Sequence, residues 1–198
     1  MLTHAVHALR SGPRGAFGSA RPSANLLGVA SKSRLKTLAL IGFMGAGKTL
    51  IGALVAQRAG APFHDLDLLI ESHAGMTIAE IFVVHGEPEF RAMESKLLPE
   101  VLAPGAVTAL GGGTPGSEDN WKLISERATS VFLDVPLETL WARLSGGAGR
   151  PLARRQSKEQ LGDLLSRRRP RYLEATHVVN GDRDASVVAE EVLLLWSG

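Results

Sequence analysis

The sequence predicts an α/β fold in three layers, a five-stranded parallel sheet flanked by helices, with a mobile lid. Three observations carry this expectation. From Leu38 onward, apolar strand candidates alternate with amphipathic helical segments, the pattern of a parallel sheet covered on both faces. The first strand candidate runs directly into GFMGAGKT at 42–49, which satisfies G-x-x-x-x-G-K-[ST] in a strand-loop-helix setting. A chain of 198 residues suffices for one well-buried core and is short for two ordinary domains.

Residues 1–35 are expected to form an extension separate from a folded domain at 36–198. The extension contains Arg, Ser, Ala and Gly with Pro13 and Pro22, and shows no sustained helical or alternating pattern. It reads either as an organelle transit segment, free of acids and without the apolar stretch of a secretory signal, or as an unstructured or misassigned bacterial start, which is preferred. The corresponding locations are plastid and cytoplasm, with cytoplasm the expectation.

Strands are predicted at 37–41, 62–66, 106–110, 130–134 and 177–179. After the first, Ile51, Leu54 and Val55 recur at helical spacing behind the glycine loop. Thr77 followed by Glu80 forms a capping box for a helix with Ile78, Ile81 and Phe82 on one face, stopped by Gly86. The next helix carries Phe90, Met93, Leu97 and Leu98. Pro136 opens a later one, in which Leu137, Leu140, Trp141 and Leu144 repeat as a buried stripe, and Trp141 is assigned to the core. Segment 146–155 (GGAGRPLARR) has too many glycines for a fixed helix, and its arginines suit a flap closing over phosphates. Ser157 and Gln160 form a second capping box ahead of Leu161, Leu164 and Leu165. A final helix over 186–196 turns Val188, Val192 and Leu195 inward.

Composition removes several function classes. There is no cysteine, so disulfides, thiolate catalysis and sulfur-ligated zinc are excluded. The histidines are scattered without paired metal spacing. No apolar stretch approaches a bilayer span, so no membrane association is expected. Residues 1–36 hold six of the 22 basic residues and no acid, which leaves 16 basic against 20 acidic residues in 37–198, a net of −4. The basic overall balance therefore belongs to the opening segment, and no nucleic-acid partner is expected.

The residues with chemistry cluster at predicted strand ends. In the loop, the glycines turn backbone N–H groups towards phosphates, Lys48 supplies positive charge at the outer phosphates, and Thr49 offers a hydroxyl to Mg²⁺. Asp65 and Asp67 lie beyond the carboxyl end of the second strand, where ligands bind in such sheets. Read as extended chain, their side chains point the same way and divide into a metal-water partner and a general base; an Asp cap on the following helix is the structural alternative. Arg91 and Glu94, three apart on a helix, pair as a surface salt bridge or as a means of aiming one arginine. Gly111, Gly112 and Gly113 follow a strand and allow a ligand close to the backbone. Among Arg167, Arg168, Arg169 and Arg171, one or two grip an anionic small substrate, while helix capping accounts for the rest.

Together these residues resemble the shikimate kinases across 37–198. The resemblance rests on GFMGAGKT, on FHDLD, on IAEIF followed by GEPEFRAMES, on the glycine triplet after a strand, and on RPL with the later R-x-P-x-Y. It implies a P-loop kinase fold and transfer of the ATP γ-phosphate to the 3-hydroxyl of shikimate, in chorismate and aromatic amino acid biosynthesis. By this resemblance Asp67 is the base and touches substrate hydroxyls, while Arg91, held by Glu94, and Arg168 bind the shikimate carboxylate with Gly113. Gly45, Ala46, Gly47, Lys48, Thr49, Leu50 and the lid residue Arg150 bind ATP, with Lys48 and Arg150 also catalytic. Thr49, and Asp65 through water, hold Mg²⁺. Leu50 stands where the family commonly has a second hydroxyl residue, and Arg143 with 180–183 is the candidate adenine wall. The expected partners are shikimate and ATP, and the expected state is a monomer. The alternatives are a catalytically silent ligand-binding domain of the same fold, or a kinase for another hydroxylated acid such as gluconate.

Overall fold

The computed structural model describes residues 36–145 and 157–198. The predicted extension at 1–35 and the predicted lid at 146–155, with Arg150, lie outside the described residues.

Five strands form one sheet: β1 (Thr37–Ile41), β2 (Phe63–Asp65), β3 (Val107–Ala109), β4 (Ala128–Asp134) and β5 (His177–Asn180). Their order is β2-β3-β1-β4-β5 and every pairing is parallel. The helices are α1 (Lys48–Ala59), α2 (Leu66–Ala74), α3 (Ile78–Val84), α4 (Gly86–Val101), α5 (Glu118–Arg127), α6 (Leu137–Ser145), α7 (Lys158–Tyr172) and α8 (Ala185–Ser197), with a 3₁₀ turn at Thr114–Gly116. Successive residues of a strand face opposite sides of its sheet, and all five residues of β1 are buried, so both sides of the central strand are covered. α1 and α8 pack on each other, while α5 packs on β4 and against α4. Leu38, Leu40 and Ile41 are fully buried, and truncating one of them to Ala would cost about 2–5 kcal/mol.

The helix starts follow the predicted chemistry. Thr77 and Glu80 make both bonds of a capping box on α3, and Ser157 and Gln160 do the same on α7. The helix predicted to stop at Gly86 ends at Val84 with His85 as its cap, and Gly86, with φ +81, is the first residue of α4. Trp141 is half-buried against the core, as expected. α5, which sequence patterning did not single out, begins where the Ser117 hydroxyl accepts from Asn120 N. Trp196 ties α8 to the start of the domain through Nε1 donating to the Lys36 carbonyl at 2.9 Å. Among the described residues no helix is long and apolar enough to cross a membrane.

Strand order places the site. The chain leaves β1 for β2 on one side of the sheet and leaves β3 for β4 on the other, so a crevice opens beyond the carboxyl ends of adjacent strands β1 and β3. The glycine loop follows β1 and the glycine triplet follows β3, which brings two segments about seventy residues apart in sequence to one edge.

Candidate functional site

An open cleft of about 390 Å³ occupies this edge, lined by Gly45, Gly47, Lys48, Thr49, Leu50, Asp65, Asp67, Leu110, Gly112 and Arg143, among others. Its floor is the loop at 42–49. Gly47 caps α1 with φ +94, a conformation that favours glycine, and no side chain caps the helix. The first-turn N–H groups of α1 thus face the cleft with the positive end of the helix dipole, and no acid lies in that turn to oppose an anion. Lys48 Nζ folds back to donate to the carbonyls of Gly42 at 2.9 Å and Phe43 at 3.0 Å, which fixes the ammonium over the loop. Leu50 is largely exposed on the cleft wall, so its apolar side chain has no core role there.

The structure revises the reading of Asp65 and Asp67 as an extended pair. β2 ends at Asp65 and α2 begins at Leu66, because Asp65 Oδ1 accepts from Asp67 N at 3.0 Å and Leu68 N at 3.3 Å. That cap competes successfully with continued extension, and Asp67 enters the first turn of the helix. The two carboxylates still share the cleft but take different tasks. Asp65 Oδ2 accepts from Thr49 Oγ1 at 2.7 Å, so a hydroxyl and a carboxylate oxygen sit together beside the phosphate loop. Two hard oxygen donors there fit Mg²⁺, which uses one or two protein ligands and completes its shell with phosphate and water. Among the described residues no cluster of three or more His, Asp or Glu side chains could hold a metal by itself.

Arg91 is held on two sides. Its Nη1 donates to Glu94 Oε2 at 2.8 Å, while Nε and Nη2 donate to Glu87 Oε1 at 3.3 and 3.0 Å. Burial works against the guanidinium charge, but Glu94 and then Glu87 outweigh it, and the Arg91 pKa lies above its ordinary value. The pair is not the exposed helix salt bridge that spacing alone allows: Glu94 is only 1% exposed and cannot be left unpaired cheaply. Its second oxygen, Oε1, accepts from Thr114 Oγ1 at 2.5 Å. Sequence reasoning missed both Glu87 and Thr114; Glu87 lies four residues before Arg91, a helical spacing that could have signalled it.

The glycine triplet has a further use besides ligand approach. A Cβ on Gly113 would lie 2.4 Å from Arg91 Nη1, and one on Gly111 would lie 2.6 Å from Glu94 Oε1 and 2.9 Å from Asp67 Oδ1. The missing side chains therefore make room for the protein's own charged groups. Gly112 faces the phosphate loop, its Cβ position being 3.4 Å from Met44 N and 3.6 Å from Arg168 Nη1.

Tertiary contacts sort the arginine run. Arg169 pairs with Asp134 at 2.6 Å, Arg171 pairs with Glu118 and Glu174, and Arg167 is exposed. Arg168 is half-buried, lies 6.0 Å from the Phe43 ring centre, and makes no salt bridge among the described residues. Four residues on, the buried Tyr172 hydroxyl donates to the Gly112 carbonyl. Burial pushes the Tyr172 pKa up to about 12 against the lowering effect of Arg168, so the phenol remains a neutral donor under the site. On the other flank, Arg143 Nη1 donates to the Gly45 carbonyl at 3.2 Å, and Nη2 lies 3.6 Å from Asp182. That contact joins the loop to the segment at 180–183 suggested as the adenine wall.

The anion-binding loop, Asp67 and Gly112 line the cleft, and the two guanidinium groups of Arg91 and Arg168 approach the glycine turn at Gly113 and Gly112 without lining the cleft themselves. Known proteins resemble the chain over most of its length. The shikimate kinase family model matches residues 44–195. The shikimate kinase of Ruegeria pomeroyi is 43% identical over 155 residues, covering 77% of this chain and 79% of that protein. That of Macrococcus caseolyticus is 36% identical over 154 residues, covering 77% and 92%. A solved structure of shikimate kinase from Acinetobacter baumannii in complex with shikimate superposes with a TM-score of 0.78 at 34% identity, covering 84% of this chain and 95% of that one. With a family model matching most of the chain and relatives 36% and 43% identical over most of its length, the chain belongs to the shikimate kinase family.

Proposed function

We propose that this chain transfers the γ-phosphoryl group of ATP to the 3-hydroxyl of shikimate, giving shikimate 3-phosphate for chorismate and aromatic amino acid synthesis. The observation that carries the reading is the approach of Arg91 to Gly113 and of Arg168 to Gly112, in a glycine triplet whose Gly112 lines the same cleft as Lys48 and Thr49. Two guanidinium groups at one turn suit a carboxylate, and the loop opposite suits a triphosphate.

Phosphoryl transfer depends mainly on alignment and on neutralising charge. In this proposal Arg91, Arg168 and the Gly113 backbone hold the acid so that its hydroxyl faces the phosphate loop. Asp67, whose Oδ1 borders the same turn, accepts the hydroxyl proton as the oxygen attacks. Gly45, Ala46, Gly47, Lys48, Thr49 and Leu50 seat the nucleotide, and Arg150 is assigned to its phosphates. Mg²⁺, when bound at Thr49 and through water at Asp65, would supply further neutralisation of the phosphate oxygens. The activity is assigned to 36–198, working as a monomer.

Coupled measurement of ADP release tests the reading. Shikimate-dependent turnover with ATP and Mg²⁺, and none with gluconate, is expected; folded protein that releases no ADP with shikimate would refute it.

A further inference from the structure

Glu94 is a buried carboxylate whose two oxygens are served from different directions. Oε2 receives Arg91, and Oε1 receives the hydroxyl of Thr114, itself fully buried. Oε1, Asp67 Oδ1 and Thr114 Oγ1 lie 2.6, 2.9 and 3.0 Å from the same point, the vacant Cβ position of Gly111, so the Thr114 hydroxyl sits where two carboxylate oxygens approach one another. The Thr114 hydroxyl is what satisfies Oε1 and fixes the carboxylate plane. The residue before it, Gly113, gives way for the Arg91 guanidinium, so consecutive residues of one turn serve both members of the pair.

We propose that Thr114 is a positioning residue for the acid substrate: by donating to Glu94 Oε1 it sets the Glu94 carboxylate, and through Glu94 it aims Arg91 at the substrate carboxylate. This rests on the functional reading given above. The turn has independent anchors that do not involve the hydroxyl. Thr114 N donates to the Gly111 carbonyl at 3.1 Å, and Asn120 Nδ2 donates to the Thr114 carbonyl at 3.2 Å. Removing the hydroxyl alone therefore leaves the backbone in place and frees Glu94 to rotate, carrying Nη1 of Arg91 with it.

The test is steady-state kinetics of Thr114→Val, which keeps shape and deletes the hydroxyl, and of Thr114→Ser, which restores it. Thr114→Val should raise KM for shikimate about tenfold, the scale of one hydrogen bond to a charged group, with kcat and KM for ATP unchanged. Thr114→Ser should return KM for shikimate towards the unsubstituted value. In an Arg91→Ala background the valine substitution should add nothing further, because its effect runs through Arg91. Unchanged KM for shikimate in Thr114→Val, an equal rise in KM for ATP, or full additivity with Arg91→Ala would each overturn the assignment while leaving the functional reading intact. An unsubstituted protein inactive on shikimate would overturn both.

Discussion

Replacing Gly113 by alanine adds one methyl group where the Arg91 guanidinium now lies. The new Cβ would sit 2.4 Å from Nη1 and 2.5 Å from both Cζ and Nη2, so the whole planar group must retreat by about 1 Å to reach ordinary contact distance. The backbone offers no escape and needs none, since Gly113 has φ −99 and ψ −17, which alanine adopts freely. A retreat of that size breaks the 2.8 Å bond from Nη1 to Glu94, a charge-assisted bond of about 1.5–3 kcal/mol. Shikimate affinity should fall about 10- to 100-fold, measured by equilibrium titration of the folded variant. Gly116→Ala is the control: it lies three residues along the same turn with nothing within 4 Å of its Cβ position, and should bind normally. Gly113→Ala that binds shikimate like the parent would show that the guanidinium position is irrelevant to acid binding, and the assigned clamp would be wrong.

Other perturbations separate the remaining groups. Asp67→Asn should lower kcat by about 100-fold or more while leaving ATP affinity intact; equal turnover in a single-turnover assay would remove Asp67 from the base role. Arg168→Ala should raise KM for shikimate about tenfold, whereas Arg169→Ala, which removes a partly exposed pair with Asp134, should cost under ~1 kcal/mol in urea unfolding and leave KM unchanged. The reverse ranking would mean that the wrong arginine has been assigned. Tyr172 is the only tyrosine, so phenolate absorbance reports it directly. Its folded pKa of about 12 lies above the ordinary value of 10.0, so the folded state holds the extra proton and the associated stability is complete below about pH 10 and lost as pH rises through about 12. That contribution is roughly 3 kcal/mol. A native titration midpoint near the ordinary value would contradict the buried, hydrogen-bonded phenol.

Features whose causes are local were legible along the chain. The glycine loop depends on residues within eight positions, and the capping boxes of Thr77 with Glu80 and Ser157 with Gln160 each close over three. The central strand was also readable, because β1 is buried on both faces and Leu38 to Ile41 are all apolar. Local competition blurred the boundary at Asp65: extended chain and helix cap both suit an aspartate after a strand, and the two backbone donors of Asp67 and Leu68 decided for the cap. The arginine run was ambiguous for another reason. Arg168, Arg169 and Arg171 are chemically alike, and Asp134 and Glu118, brought in from distant segments, with Glu174 one turn on from Arg171, distinguish the structural cations from the one near Gly112.

By itself the sequence determined a phosphate-binding loop on a parallel α/β sheet, a family likeness, and the residue types available for catalysis and clamping. The tertiary structure decided which of those residues meet. β3 beside β1 brings the glycine triplet to the loop, α4 lays Glu94 and Arg91 against that turn, and Thr114 reaches Glu94 across twenty residues of chain. The division follows from range: backbone geometry and capping are set by near neighbours, whereas the environment of a buried charge is set by whatever the folded sheet places around it.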